Sequence, residues 1–144
     1  MKLSNNWFSG VAEADNHYPI FITGRDDIEE FRLSGKLKER VEIYWNYKST
    51  HNGMPSENEA SLMEEVQNRL QTVMEKDKLA ILTGVYTGNN ERTWVFYTRT
   101  SRVLGERLNE ALATFELLPI TLYVENDVEW NEYQEMYEIK PFAE

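Results

Sequence analysis

The residues that most often carry chemistry are scarce in this chain: two histidines, His17 and His51, and no cysteine among 144 residues. The missing thiol excludes disulfides, thiolate zinc sites and cysteine nucleophiles. Each histidine falls in a turn-forming stretch, ADNH and STHNGMP, without a second histidine at ligand spacing. That pattern reads as solvated loop imidazole rather than a metal ligand or a paired general base. Carboxylates are plentiful, but their spacing is structural. Glu64-Glu65 sits on a solvated helical face, and Asp26-Asp27 beside Arg25 suits helix capping. No phosphate-cradling glycine loop, zinc-protease helix motif or nucleophile elbow occurs. The reading therefore nominates no catalytic residue, no metal and no cofactor.

What remains is aromatic. Tyr44, Tyr86, Tyr97 and Tyr123 stand on strand-forming stretches, with Arg99 near a strand end and Arg25 beside a turn. These six residues are the candidate binding set, and the elements that carry them decide which way they face. RVEIYWNYK (40–48) alternates cleanly, with Val41, Ile43, Trp45 and Tyr47 opposed to Glu42, Tyr44, Asn46 and Lys48. ILTGVYTGNNERTWVFYTR (81–99) is a hairpin closed at Gly88-Asn89-Asn90. A two-residue Asn-Asn turn sets Val85 opposite Trp94 and Thr83 opposite Phe96, giving a core face shared with Leu79 and Ile81. The other face then carries Leu82, Gly84 and Tyr86 opposite Tyr97, Val95 and Thr93.

Two helices complete the pattern. Ser56 and Glu59 form a capping box ahead of a stripe of Leu62, Val66, Leu70 and Val73. Ser101 is placed to cap a second helix with the stripe Leu104, Leu108, Ala111, Leu112 and Phe115. ITLYVE follows Pro119 as a last strand, with Ile120, Leu122 and Val124 on its inner side. Upstream, NNWFSGVAE (5–13) and YPIFITG (18–24) are strand-like and separated by a turn, which suggests an N-terminal hairpin. RDDIEEFRLSG reads as a short helix capped by Asp26, with Glu29 in capping-box position and Gly35 past its end. The acidic segment NDVEWNEYQEMYE reads as a helix with Trp130, Tyr133 and Tyr137 on one face.

Without its flanks the order is β-α-β-β-α-β. The expected fold is α+β: a ferredoxin-like sandwich with a four-stranded antiparallel sheet and both helices on one face. It occupies 37–125 of a single domain, between an N-terminal hairpin and short helix (1–36) and an acidic C-terminal segment (126–144). The helix-free face would show the four tyrosines. Cover by the chain's own flanks or by a homodimer is expected there, because a bare aromatic patch is unusual on a monomer.

Charge weighs on what could bind. The net charge is −10, and the stretch from Glu125 onward holds seven acidic residues and one lysine. A nucleic-acid backbone would be repelled, and RTWVFYT lacks the glycine of the RNA-recognition signature. Cationic protein partners are favoured. The N-terminus shows no apolar run of signal-peptide length, and no stretch approaches the roughly 20 apolar residues of a membrane span. A cytoplasmic, non-membrane protein is the expectation.

Several segments together resemble a known family. WFSGVAEADN, PIFITGRDDIEEFRLSGK, RVEIYWNYK, GMPSENEASLMEEVQNRL, DKLAILTGVYTG, ERTWVFYTR, RLNEALATF and LPITLYVENDVEW are similar, in order, to the domain-of-unknown-function 695 family (DUF695). The resemblance runs from about Trp7 to Tyr133. It implies a bacterial protein with no assigned reaction and no catalytic residues to carry over. A similar domain accompanies, in some bacterial proteins, one resembling an acidic inhibitor of ribonuclease E, which acts by binding. The functional expectation is a non-enzymatic interaction or regulatory domain that binds a protein partner or itself. The alternatives are a small anionic ligand or uncharacterised enzyme site held by Arg25 or Arg99, and single-stranded RNA on the open sheet face.

Overall fold

Apolar alternation along the strands and apolar stripes on the helices meet across one sheet, which determines where every candidate residue points. The computed structural model describes residues 2–49 and 51–140. Its strands are β1 (Asn6–Glu13), β2 (Pro19–Asp26), β3 (Glu39–Asn46), β4 (Ala80–Gly88), β5 (Glu91–Thr98) and β6 (Ile120–Asn126). The helices are α1 (Glu29–Leu33), α2 (Glu57–Glu75), α3 (Ser101–Ala111) and α4 (Asn131–Tyr137). Thr50, in the loop before α2, and residues 141–144 of the acidic segment lie outside the described residues.

The fold is α+β, with one open sheet of six antiparallel strands in the order β1-β2-β4-β5-β3-β6. The four strands expected from the sequence are joined by the N-terminal hairpin. Its β2 pairs with β4, setting Ile22 opposite Tyr86 and Gly24 opposite Gly84. On one face, Val41, Ile43, Trp45, Leu82, Trp94 and Phe96 pack against Met63, Val66, Leu70 and Met74 of α2 and Leu104 and Leu108 of α3. On the other, Ile22, Ile81, Val95 and Tyr97 pack against Ile28, Phe31, Trp130, Tyr133 and Met136 from α1, α4 and the turns before them.

The β4–β5 hairpin closes as expected: Asn89 and Asn90 both have positive φ, 52° and 72°, as a type I′ turn requires. Val85 faces Trp94, but Leu82, not Thr83, faces Phe96. Thr83 is the extra residue of a β-bulge, and its insertion reverses the inside–outside order of β4 toward its N-terminus. Leu82 therefore joins the α2–α3 core and Ile81 the opposite one. The cause lies outside the strand. Glu75 accepts the Leu82 N–H at 2.9 Å, and Arg25 donates to the Leu82 carbonyl at 2.9 Å.

Other local expectations shift by a residue or two. On α2 the fully buried stripe is Met63, Val66, Leu70 and Met74, while Leu62 and Val73 are only partly buried. Ser56 caps α2 by accepting the Glu59 N–H at 3.2 Å, but the Glu59 carboxylate turns to the Trp45 indole. Asp26 belongs to β2 and caps nothing; α1 starts after Ile28. Thr100, not Ser101, is the N-cap of α3, and Ser101 bonds Glu39 instead. α3 ends at Ala111, so Leu112 and Phe115 follow the helix rather than extend its stripe.

Candidate functional site

The tyrosine-bearing face is divided in two by α4. Trp130 enters the core with its ring stacked on Tyr97, centroids 4.3 Å apart and planes at 20°, and donates to the Leu37 carbonyl at 2.8 Å. Tyr133 donates to the Arg25 carbonyl at 2.6 Å, and Met136 sits over Gly24 and Gly84. Tyr97 is completely buried and donates to Asp127 at 2.7 Å. Tyr86 is half-buried, with its hydroxyl on Glu132. Both act as internal packing and hydrogen-bonding groups under α4, which is cover by one of the chain's own flanks, as expected for this face. Tyr44 is half-buried and donates to Glu42, while Tyr123, on the outermost strand, is exposed.

The two candidate arginines are placed differently from each other. Arg25 lies on the α2 side of β2, 1% exposed, gripped by Glu75 at 2.9 and 3.2 Å, by the Ser4 and Leu82 carbonyls, and placed over the Trp7 ring. Its donors are consumed internally. Arg99 is exposed just past β5, at the rim of a cavity of about 180 Å³ lined by Phe31, Leu37, Lys36 and Lys78.

Between the two halves of the face runs a charged network that sequence reasoning missed. Arg40 binds Glu42 and Asp127, each at 2.6 Å, and also Glu125. Burial works to raise the Asp127 pKa, but bonds from Tyr97, the Asn131 amide and Arg40 outweigh it and hold the carboxyl below its ordinary range. Glu132, on the first turn of α4, goes the other way. Burial, with Glu42 nearby, pushes it up to about 7 against the hydrogen bond from Tyr86, and its Oε1 has no partner. Two carboxylates pushed in opposite directions are a pattern used for acid–base work. Here they serve the docking of α4, through Tyr86, Tyr97 and the Asn131 amide. The signal available beforehand was the alternation of Arg40, Glu42 and Tyr44 on the outward side of β3.

The least protected surface is β6. It ends the sheet, with β3 as its neighbour on one side only. Leu122, Tyr123 and Val124 are 43%, 46% and 46% exposed, so both faces of the strand are open. Leu122 and Val124 do turn to the α2–α3 side, opposite Ile43 and Val41, but only Ile120 packs against that core. The expectation that all three are inner residues is corrected in its burial, since α3 ends at Ala111 and packs toward β3. Leu117, just before the strand, is fully exposed, and Val128, just after it, is 49% exposed. A groove of about 480 Å³ beside the strand is lined by Leu108, Leu112, Phe115, Leu117, Leu118 and Leu122 among others.

Backbone polarity adds to this. The Asn46 N–H donates to the Pro119 carbonyl and the Asp127 N–H to the Lys38 carbonyl, in the same register as the β3–β6 ladder. Hydrogen-bonded pairs alternate in an antiparallel ladder. The bonded pairs are thus Arg40–Glu125, Glu42–Tyr123 and Tyr44–Thr121. Leu122, Val124 and Asn126 turn their N–H groups, and Ile120, Leu122 and Val124 their carbonyls, away from the sheet.

The other grooves carry charged side chains on their walls. One groove between α2 and the β1–β2 hairpin is lined by Trp7, Gln67, Gln71 and Arg92, and Arg92 is engaged by Glu64 at 3.1 Å and Thr87 at 2.9 Å. His17 is exposed against Glu13, and His51 is exposed in a turn beside Asn52. No group of three or more His, Cys, Asp or Glu side chains placed to hold a metal ion occurs among the described residues. Nor is any described helix long and apolar enough to cross a membrane.

Searches of the curated proteins and of the solved structures find no match to this chain. A model of a family of unknown function does match, over residues 5–137, from β1 to the end of α4. With every described element inside that match, the chain belongs to the DUF695 family.

Proposed function

We propose that this protein is a non-enzymatic interaction domain that receives an extended segment of a protein partner along β6. The observation that carries this reading is the strand itself: apolar on both faces, flanked by an apolar groove, with the outward N–H groups of Leu122, Val124 and Asn126 and carbonyls of Ile120, Leu122 and Val124 unopposed among the described residues. Such edges template strand addition, and folded proteins normally blunt them with charge, proline or a covering segment. Tyr123 and Tyr44 are the members of the tyrosine set that border this margin, so they join the contact surface, whereas Tyr86 and Tyr97 support it from within. The acidic segment contributes as the cover of the sheet, through α4. In keeping with this reading, the run β3-α2-β4-β5-α3-β6 is a ferredoxin-like core, supported by the partial order β4-β5-β3-β6, with β1 and β2 as an added hairpin. The absence of cysteine and the family resemblance favour a bacterial cytoplasmic setting.

Affinity capture with wild type and with Leu122→Lys tests it. A stoichiometric partner, a second copy of the chain included, is held by wild type and lost by the variant. Equal retention by both, or no partner at all, overturns the reading.

One observation favours a second reading, a small anionic ligand. Arg99, Lys36 and Lys78 gather around the cavity of Phe31 and Leu37 at the end of the sheet, where the carboxylate on the wall, Asp77, is already paired with Arg107. Under this reading phosphorylated or dicarboxylate metabolites raise the melting temperature of wild type and not of Arg99→Ala. A flat response across such a panel disposes of it. Single-stranded RNA binding has less support, since Tyr97 lies beneath Trp130 and acidic side chains border Tyr44 and Tyr123.

A further inference from the structure

We infer that the segment received by β6 is β6 of a second copy, paired antiparallel about a two-fold axis at Tyr123. This deepens the strand-addition reading and rests on it. The outward-facing backbone groups are the carbonyls of Ile120, Leu122 and Val124 and the N–H groups of Leu122, Val124 and Asn126, so two copies bond only where even residue meets even residue. A register shifted by one position sets outward groups against groups already bonded to β3. Of the permitted registers, only the one centred on Tyr123 pairs all seven strand residues.

In that register Leu122 bonds Val124 of the second copy, and Ile120 bonds Asn126. The two symmetry-related Leu122–Val124 pairs lie on the α2–α3 side, continuous with the groove at Leu117 and Leu118. On the other side Tyr123 meets Tyr123 as a close non-bonded pair, and Glu125 meets Thr121. No carboxylate opposes another across the seam, and each Glu125 is already held by Arg40 of its own chain. The contrast with the other edge of the sheet supports this choice. β1 (NWFSGVAE) exposes Val11 alone among its large apolar side chains, whereas Leu117, Leu122, Tyr123, Val124 and Val128 are exposed at or beside β6. Pairing β6 with β6 closes after two copies and leaves the two polar edges outside. Pairing β6 with β1 would propagate an open fibre.

Pairing of two like-charged chains fixes the sign of the salt effect. Two chains of net charge −10 repel, so raising ionic strength tightens a dimer of this chain. The same salt weakens the docking of a cationic partner.

Sedimentation equilibrium of the full chain across the micromolar range is the test, with Val124→Lys and a control, Val11→Lys, on the opposite edge. Wild type forms a two-chain species whose association strengthens with salt. Val124→Lys weakens it by roughly tenfold or more, because the axis repeats each substitution. Val11→Lys leaves it unchanged. Val124 is already 46% exposed, so its variant keeps the fold, verified by an unchanged melting temperature. A wild type that stays monomeric at high salt, or a dimer indifferent to Val124→Lys, overturns the inference. A monomer that still captures a different protein through β6 overturns the second copy while leaving strand addition standing.

Discussion

Glu132 is the side chain whose protonation should matter most to this molecule near neutral pH. Its carboxyl pKa is raised from an ordinary 4.5 to about 7 by burial. Between those values the folded state holds a proton that the unfolded chain has released. Its contribution to stability therefore falls as pH rises through that window and is level above it. Replacing it by Gln should remove this slope and stabilise the protein above pH 7 by up to about 3 kcal/mol. Urea denaturation of wild type and Glu132→Gln from pH 4 to 8 measures the difference, and two parallel curves would refute the assignment. At this scale much of the candidate set was legible as surface chemistry but not as partnership. That Tyr44 faces away from the α2–α3 core followed from alternation alone. That Tyr97 lies under Trp130, or that Arg25 is claimed by Glu75, follows from contacts between residues 33 and 50 positions apart, which no local pattern records.

Among the elements, the bulge in β4 shows how a tertiary contact overrides a strand's own pattern. Glu75 and Arg25, 12% and 2% exposed at their side chains, form an ion pair that also satisfies both backbone groups of Leu82. Glu75→Ala would leave a buried guanidinium uncompensated and the Leu82 N–H without its acceptor. The expected loss is about 3–5 kcal/mol in a denaturation experiment, and a loss under 1 kcal/mol would mean that the bulge does not depend on this pair. The sheet's opposite face relies on a close approach at Gly24. A methyl group there would overlap the Phe8 ring and the Met136 sulfur, so Gly24→Ala should cost about 1–3 kcal/mol and speed amide exchange in α4 first. Uniform loosening of the whole chain would contradict α4 as the element held by that contact. The hairpin turn, the alternation of β3 and the cap of α2 were readable because each is decided within a few residues. The bulge and the fates of β1 and β2 were not.

At the scale of the whole molecule, the sequence pointed to four strands with two helices on one side and a second face in need of cover. The chain supplies that cover itself: α1 and α4 close half of the second face, and the N-terminal hairpin occupies the β4 edge of the sheet. What it leaves open is the far edge. The apolar alternation of ITLYVE was correctly legible as a strand, yet its burial was not, because α3 is too short to reach it. The account stands on the claim that β6 is a strand awaiting another strand. Amide hydrogen exchange at Leu122, Val124 and Asn126 of the wild-type chain, followed from dilute to concentrated solution, addresses it most directly. The account predicts fast exchange when dilute, slowing with concentration to the level of the inner strands and slowing further with salt. Exchange at these three amides that stays fast at every concentration and ionic strength would contradict it.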